Sequence, residues 1–284
     1  MDKLGYLGPE GTFTHEAAVV YSRGKQVDLV EYSSIPDLIY GVDKGEVDYA
    51  VVPMENSMEG TVNVTVDVII HEVKVYITQE LVLPIHHCLL VKPGVRLDEL
   101  RVVLSHPQAL AQCRKFLYER LRGVELIATS STAAAAKEVA TGRREWGAIG
   151  SRHAALVFAL DILAENIEDR GGNCTRFVVL SKKYSQPTGC DKTSIVFSVD
   201  HKPGSLYRAL RTFAEREINL TKIESRPMKT NLGEYLFLVD FEGHVQDAVV
   251  QDALRELAEQ SRYFAVLGSY PRFREERGQS LADG

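Results

Sequence analysis

The chain is poor in the residues that staple or anchor proteins. Four of its 284 residues are cysteine and one is tryptophan. The cysteines (Cys88, Cys113, Cys174, Cys190) show no paired spacing, and no Cys/His cluster has metal-ligand spacing. A disulfide scaffold and a metal site are therefore not expected, and a reduced cytoplasmic protein with free thiols is. No apolar run approaches the roughly 20 residues that cross a bilayer. The segment Met1-Asp2-Lys3-Leu4-Gly5 also lacks the apolar core of a signal peptide. Positive charge is in deficit: 33 Lys and Arg against 39 Asp and Glu leave a net charge of −6. That balance gives no general attraction to nucleic acid or to anionic membranes, so neither is expected as a partner. An anionic ligand would need a locally positive pocket.

What is present is globular in kind. Hydrophobic residues make up 45% and charged residues 25%, and the length predicts two or three compact units. Strand and helix alternate in the first stretch. Leu4–Leu7 reads as a strand, Thr14–Tyr21 as a helix capped by Thr12 or Thr14, and Val27–Tyr32 as a second strand. Ser34 opens a helix with Pro36 in its first turn and Gly45 at its end, and strand Tyr49–Val52 follows. Such alternation predicts a mostly parallel, helix-covered sheet. Later come strand Val102–Leu104, a helix from Pro107 to about Leu121 capped by Ser105, strand Leu126–Ala128 and helix Thr132–Thr141. The run from Ser33-Ser34 through Gly45 to Asp48–Val52 is echoed by Ser131-Thr132 through Gly142 to Trp146–Gly150. The echo predicts two related α/β lobes facing across a cleft, against the alternative of chance similarity. Ligands would then sit near the carboxyl ends of the strands.

After Thr175–Leu180, read as a strand returning to the first lobe, residues 181–192 form a polar linker with Pro and Gly. The order then becomes strand Ser194–Val199, amphipathic helix Leu206–Arg216, strands Leu220–Glu224 and Tyr235–Phe241, helix Ala248–Gln260 and strand Phe264–Tyr270. This βαββαβ order is ferredoxin-like. The tail after Phe273 reads as mobile.

Three short polar segments adjoin apolar strands: Gly8-Pro9-Glu10-Gly11-Thr12-Phe13-Thr14-His15-Glu16-Ala17, Pro53-Met54-Glu55-Asn56-Ser57-Met58-Glu59-Gly60-Thr61 and Asn173-Cys174-Thr175-Arg176-Phe177. Loops of this kind expose backbone N–H groups and small polar side chains suited to an anion. Together, in this order, they resemble the prephenate dehydratase family. Glu224-Ser225-Arg226-Pro227 extends the likeness into an ACT domain. The resemblance implies a two-lobed, periplasmic-binding-protein-like catalytic domain at 1–182, with lobe one at about 1–74 and 160–182 and lobe two at about 75–159. It further implies a linker at 183–192, a ferredoxin-like ACT regulatory domain at 193–273 and a tail at 274–284. With the first motif starting at residue 8 and little chain after Phe273, no chorismate mutase domain is expected.

The implied activity is dehydration and decarboxylation of prephenate to phenylpyruvate, without a cofactor. L-phenylalanine is the implied effector and a homodimer or homotetramer through the ACT domain the implied assembly. Departure of hydroxide is the difficult step and needs a strong hydrogen-bond donor. The family gives that essential role to the threonine of Thr-Arg-Phe, here Thr175. Losing one positioned donor typically raises a barrier by about 3–4 kcal/mol. Phe177 shares a strand face with Thr175 and is expected to pack on the substrate ring; Arg176, on the other face, either braces the lobes or touches substrate. Asn56 and Ser57 offer donors to a carboxylate or the ring hydroxyl, or serve only as turn residues, and Gly60 permits a tight bend. Glu55 is either a general acid or a cap. Thr12, Phe13 and Thr14 at one helix start, with Ser105, Gln108 and Thr129 in the second lobe, complete the expected substrate contacts or act as plain caps. For His15, His106 and His153 a structural or surface role is expected. Gly204, Ser205 and Leu206, where the family usually reads Gly-Ala-Leu, join Glu224, Ser225, Arg226 and Pro227 as expected phenylalanine contacts, the serine leaving effector preference open. The alternatives are an arogenate dehydratase and a non-catalytic solute-binding sensor.

Overall fold

The computed structural model describes residues 1–228 and 235–273, so the expected tail lies outside the described residues. In chain order the first elements are β1 (Asp2–Leu7), α1 (Phe13–Ser22), β2 (Val27–Tyr32), α2 (Ile35–Lys44), β3 (Tyr49–Asn56), β4 (Gly60–Thr61), α3 (Asn63–His71) and β5 (Tyr76–Pro84). Then come β6 (Cys88–Val91), β7 (Val102–Ser105), α4 (Pro107–Gln112), α5 (Arg114–Arg120), β8 (Glu125–Ala128), α6 (Thr132–Thr141), β9 (Trp146–Gly150), α7 (Arg152–Val157) and β10 (Asp161–Ala164). The last are β11 (Cys174–Ser181), β12 (Asp191–Ser198), α8 (Ser205–Ala214), β13 (Leu220–Pro227), β14 (Tyr235–Glu242), α9 (Ala248–Gln260) and β15 (Tyr263–Pro271).

Local chemistry explains the well-formed ends. Ser34 accepts from the Asp37 N–H, Pro36 occupies the first turn, and Gly45 closes α2. Ser131 accepts from Ala134 N at the start of α6, and Thr12 accepts from His15 N at the start of α1.

Among the described residues the strands form three sheets. The first runs β2-β1-β3-β11-β5, with β4 paired to β3; the second runs β10-β6-β9-β7-β8. In the first, β1 pairs in parallel with β2 and β3; in the second, β7 pairs in parallel with β8 and β9. The period-2 alternation of β6 divides the second sheet's core between two faces. Leu89 and Val91 pack with Val103, Leu117 and Ile149, whereas Cys88 and Leu90 pack with Leu104, Ala135, Val139 and Ala148. The lobe expectation of 75–159 meets a different strand distribution. β5 lies beside β11 in the first sheet, and β10 lies on the edge of the second.

The chain divides into two compact units, Met1–Val68 with Val82–Phe177 and Ile69–Leu81 with Val178–Gly284. The division falls within α3, β5 and β11. The second unit holds the antiparallel sheet β13-β14-β12-β15, in βαββαβ order, with Ile195, Phe197, Phe213, Val239, Phe241 and Leu257 in its core. Within that unit Lys192 of β12 forms a buried ion pair with Glu80, whose carboxylate also accepts from Phe273 N. Among the described residues no helix is long and apolar enough to cross a membrane.

Candidate active site

Strand β3 runs beyond Val52 to Asn56, and β11 starts beside it. The carboxamide of Asn56 is fully engaged. Its Oδ1 accepts from the backbone N–H groups of Met58 and Glu59 at 2.9 and 3.0 Å, which folds the turn that Gly60 completes at φ +82°. Its Nδ2 donates to Asn173 Oδ1 at 2.8 Å and to Thr175 Oγ1 at 2.9 Å, and lies 3.3 Å from Cys174 O. Ser57 adds two backbone ties, Ser57 N to Cys174 O and Cys174 N to Ser57 Oγ, both 2.9 Å. Asn173 O in turn receives Ile85 N, so this cluster holds the ends of both segments that run to the second sheet.

Thr175 is 9% exposed. Its oxygen is occupied as an acceptor by Asn56, and among the described residues no acceptor takes its hydroxyl proton. An oriented O–H with an uncommitted proton is what a leaving oxygen requires. Arg176, on the opposite face, lies 3.8 Å from Glu55, so that pair braces β3 against β11.

The β1–α1 loop forms a second group. Thr12 caps α1 and donates from its hydroxyl to Leu7 O; Thr14 is buried in the first turn. The Phe13 ring stands edge-on to His87, with centroids 6.2 Å apart. His87 is buried, its Nε2 is 2.8 Å from Gln112 Oε1, and burial holds its pKa below the usual histidine range. Gly11 has φ +83°, and a Cβ there would stand 2.8 Å from the Phe158 ring, so the loop touches the second lobe through a position that only glycine fills without strain. Ser151 Oγ reaches Gly11 O at 3.4 Å, and His153 Nε2 lies 2.9 Å from His15 Nδ1. Gln108 Nε2 donates to Glu59 Oε1 at 3.0 Å, another link between the lobes.

Several expectations are corrected. Ser105 does not cap α4. It is fully buried and its hydroxyl donates to Ile149 O, while the cap is the His106 ring, which accepts from Gln108 N. Phe177 shares the buried face of Thr175 but is only 1% exposed, so its ring is interior packing with no face left for a ligand. Thr129 donates to Ser131 O and its N–H reaches Ser105 O; it makes no hydrogen bond to the Asn56–Thr175 cluster. His15 and His153, separated by 138 positions, meet. Asn173, Glu59 and His87 escaped assignment. Asn173 and Glu59 stood in the segments already singled out; His87 carries no local signal.

In the second unit a cavity of about 210 Å³ is lined by Ser205 and Leu206 together with Asp200, Lys202, Phe237 and Arg262. Gly204 is the N-cap residue of α8, and Ser205 Oγ accepts from Arg208. Lys202 and Arg262 both donate to Asp200, at 3.0 and 2.6 Å, and hold its carboxyl below the usual range. Glu224 and Arg226 share one face of β13 and pair at 3.0 Å, whereas Ser225 and Pro227 are exposed. These four do not line the cavity, but the next residue, Met228, does.

Against this geometry stand the comparisons with known proteins. A family model described as prephenate dehydratase matches residues 4–185, and one described as ACT domain matches residues 193–259. The bifunctional chorismate mutase/prephenate dehydratase of Aquifex aeolicus is 46% identical over 270 residues, covering 95% of this chain and 74% of that protein. The prephenate dehydratase of Bacillus subtilis is 40% identical, covering 94% of this chain and 98% of that one. The crystal structure of prephenate dehydratase from Arthrobacter aurescens in complex with L-Phe is 37% identical, with a TM-score of 0.85 over 95% of this chain and 90% of that one.

Proposed function

The chain belongs to the prephenate dehydratase family, an enzyme family, and on that premise we propose that it converts prephenate to phenylpyruvate, CO2 and water and that L-phenylalanine inhibits it. The observation that carries the reaction is the Asn56–Thr175 hydrogen bond. As the ring carboxylate leaves as CO2, the electron pair of its C–C bond enters the ring and expels the ring oxygen. Thr175 donates its free proton toward that oxygen, and the amide donating into Thr175 Oγ1 both fixes the hydroxyl and strengthens it as a donor. The first turn of α1, with Thr14 and the positive end of the helix dipole, holds a carboxylate in this reading, and Thr12, whose hydroxyl is committed to Leu7 O, shapes that turn as its cap. Phe13 offers the aromatic surface. Ser57 holds the β11 start, and Arg176 acts as a brace.

The inhibitory site rests on the cavity of the second unit. An α-amino acid zwitterion needs an anion for its ammonium, a cation for its carboxylate and an apolar wall. Asp200, Lys202 with Arg262, and Leu206 with Phe237 supply these. The relative bound to L-Phe supports this choice of ligand. Assembly through the ACT domain and a cytoplasmic location belong to the same reading.

The test is product absorbance from purified protein given prephenate, or arogenate, with and without L-phenylalanine. Phenylpyruvate formed from prephenate and suppressed by L-phenylalanine supports the proposal. Product from arogenate alone would replace the substrate, and none from either would leave the sensor. Arg262→Met is expected to weaken inhibition by about tenfold, equivalent to 1.4 kcal/mol. Undiminished inhibition in that variant would exclude the cavity.

A further inference from the structure

We infer that the imidazoles of His15 and His153 form a neutral clamp that positions the β1–α1 loop against the second lobe and so sets affinity for the anionic substrate. The inference rests on the dehydratase reading. His15 lies in the first turn of α1, directly after Thr12, Phe13 and Thr14, and is buried. Its Nδ1 is 3.1 Å from the Gly11 N–H and 2.9 Å from His153 Nε2. A backbone N–H can only donate, so Nδ1 must be bare. That fixes His15 as the Nε2–H tautomer and requires His153 to carry its proton on Nε2. One lone pair thus receives a donor from each lobe. A proton placed on Nδ1 would set the Gly11 contact donor against donor and force His153 to exchange its ring proton to Nδ1 or break the second contact.

The surroundings fit that role. Two other contacts join the same loop to the same stretch of the second lobe, Ser151 to Gly11 O and the close approach of Gly11 to Phe158. The charged and titratable groups facing His15 are Tyr6, whose ring centroid is 4.7 Å away, Glu10, Glu31 and His153. Burial lowers the His15 pKa, and the two glutamates oppose that only in part. Burial and then His15 push His153 down to about 4. The pair is neutral at neutral pH and fails in acid. Neither ring bonds to Thr175 or Asn56, so the clamp acts on binding, not on the leaving oxygen.

The test uses the full chain. Nitrogen NMR of the histidine rings at pH 7.5 is expected to show His15 Nδ1 unprotonated; a proton there overturns the clamp whatever the substrate. His15→Leu removes the acceptor and is expected to raise the KM for prephenate by about tenfold while kcat stays within about threefold. His15→Asn supplies a non-titrating acceptor. It should restore the KM and abolish the rise in KM expected of the wild type as pH falls below about 6.5 toward 4. An unchanged KM in His15→Leu, or kcat falling in step with kcat/KM, would overturn the inference. If His15→Leu does not fold, His153→Leu removes the same contact from the other lobe and must raise KM alike. No phenylpyruvate from the wild type would reject the dehydratase reading, and the ring tautomer would still decide the clamp.

Discussion

The two lobes follow one path and differ in what their loops carry. The strand order β2-β1-β3-β11-β5 is matched place for place by β8-β7-β9-β6-β10, and in each the second strand, β1 or β7, pairs in parallel with both its neighbours. Ser34 and Ser131 cap equivalent helices. The connections diverge. Between β1 and α1 lie five residues, Gly8 to Thr12; between β7 and α4 lies His106 alone. β3 continues past Val52 to Asn56, whereas β9 stops at Gly150 and Ser151 caps α7 at once. β11 brings Thr175, while its counterpart β6 is Cys88-Leu89-Leu90-Val91, all buried. A repeated scaffold thus becomes an asymmetric site: the first lobe holds the donor and the second supplies contacts that hold the first lobe's loop.

Substitutions at matched places test that asymmetry. The largest effect is expected for Thr175→Val, a fall in kcat of about a hundredfold to a thousandfold with the fold retained, since a positioned donor is worth about 3–4 kcal/mol. Asn56→Ala should follow. It frees Thr175 and removes the acceptor of two solvent-exposed backbone N–H groups, costing about 1–2 kcal/mol of stability through the lost net hydrogen bonds and at least about tenfold in kcat. At the matched site Ser151→Ala should cost about 1 kcal/mol of stability through the lost cap, with turnover within about threefold. Equal losses of turnover at Asn56 and Ser151 would erase the distinction between lobes. The smallest effect is on pH dependence of stability. His15 and His153 have depressed pKa values, the latter about 4, while unfolded histidines titrate near 6.5. Below that value the unfolded chain binds protons that the folded chain refuses. Stability is therefore full above about pH 6.5 and declines as pH falls toward 4. Urea midpoints at pH 7 and pH 5 check this, and His153→Gln should flatten the decline.

Much of the scaffold was legible because local chemistry encodes it. β2, α6 and α9 have the expected bounds, since caps and periodicity set them without help. The helix expected from Pro107 to Leu121 is broken instead at Cys113. Gln112 O accepts from Asp169 N and the Lys115 N–H goes to Asp169 Oδ1, so a residue more than fifty positions away diverts the helix ladder. The site was legible in the same measure. Alternation placed Thr175 and Phe177 on one face, yet only packing decides that Phe177 is enclosed. The Asn56–Thr175 bond and the meeting of His15 with His153 join residues more than a hundred positions apart, a distance over which spacing carries no signal.

The most direct measurement of the central claim is the initial rate of phenylpyruvate formation from prephenate by the wild type, Thr175→Ser and Thr175→Val at equal concentration, with matched unfolding curves. The hydroxyl account predicts a rate for Thr175→Ser within about tenfold of the wild type and one for Thr175→Val at least about a hundredfold lower. A valine variant that turns over prephenate as fast as the serine variant would contradict it.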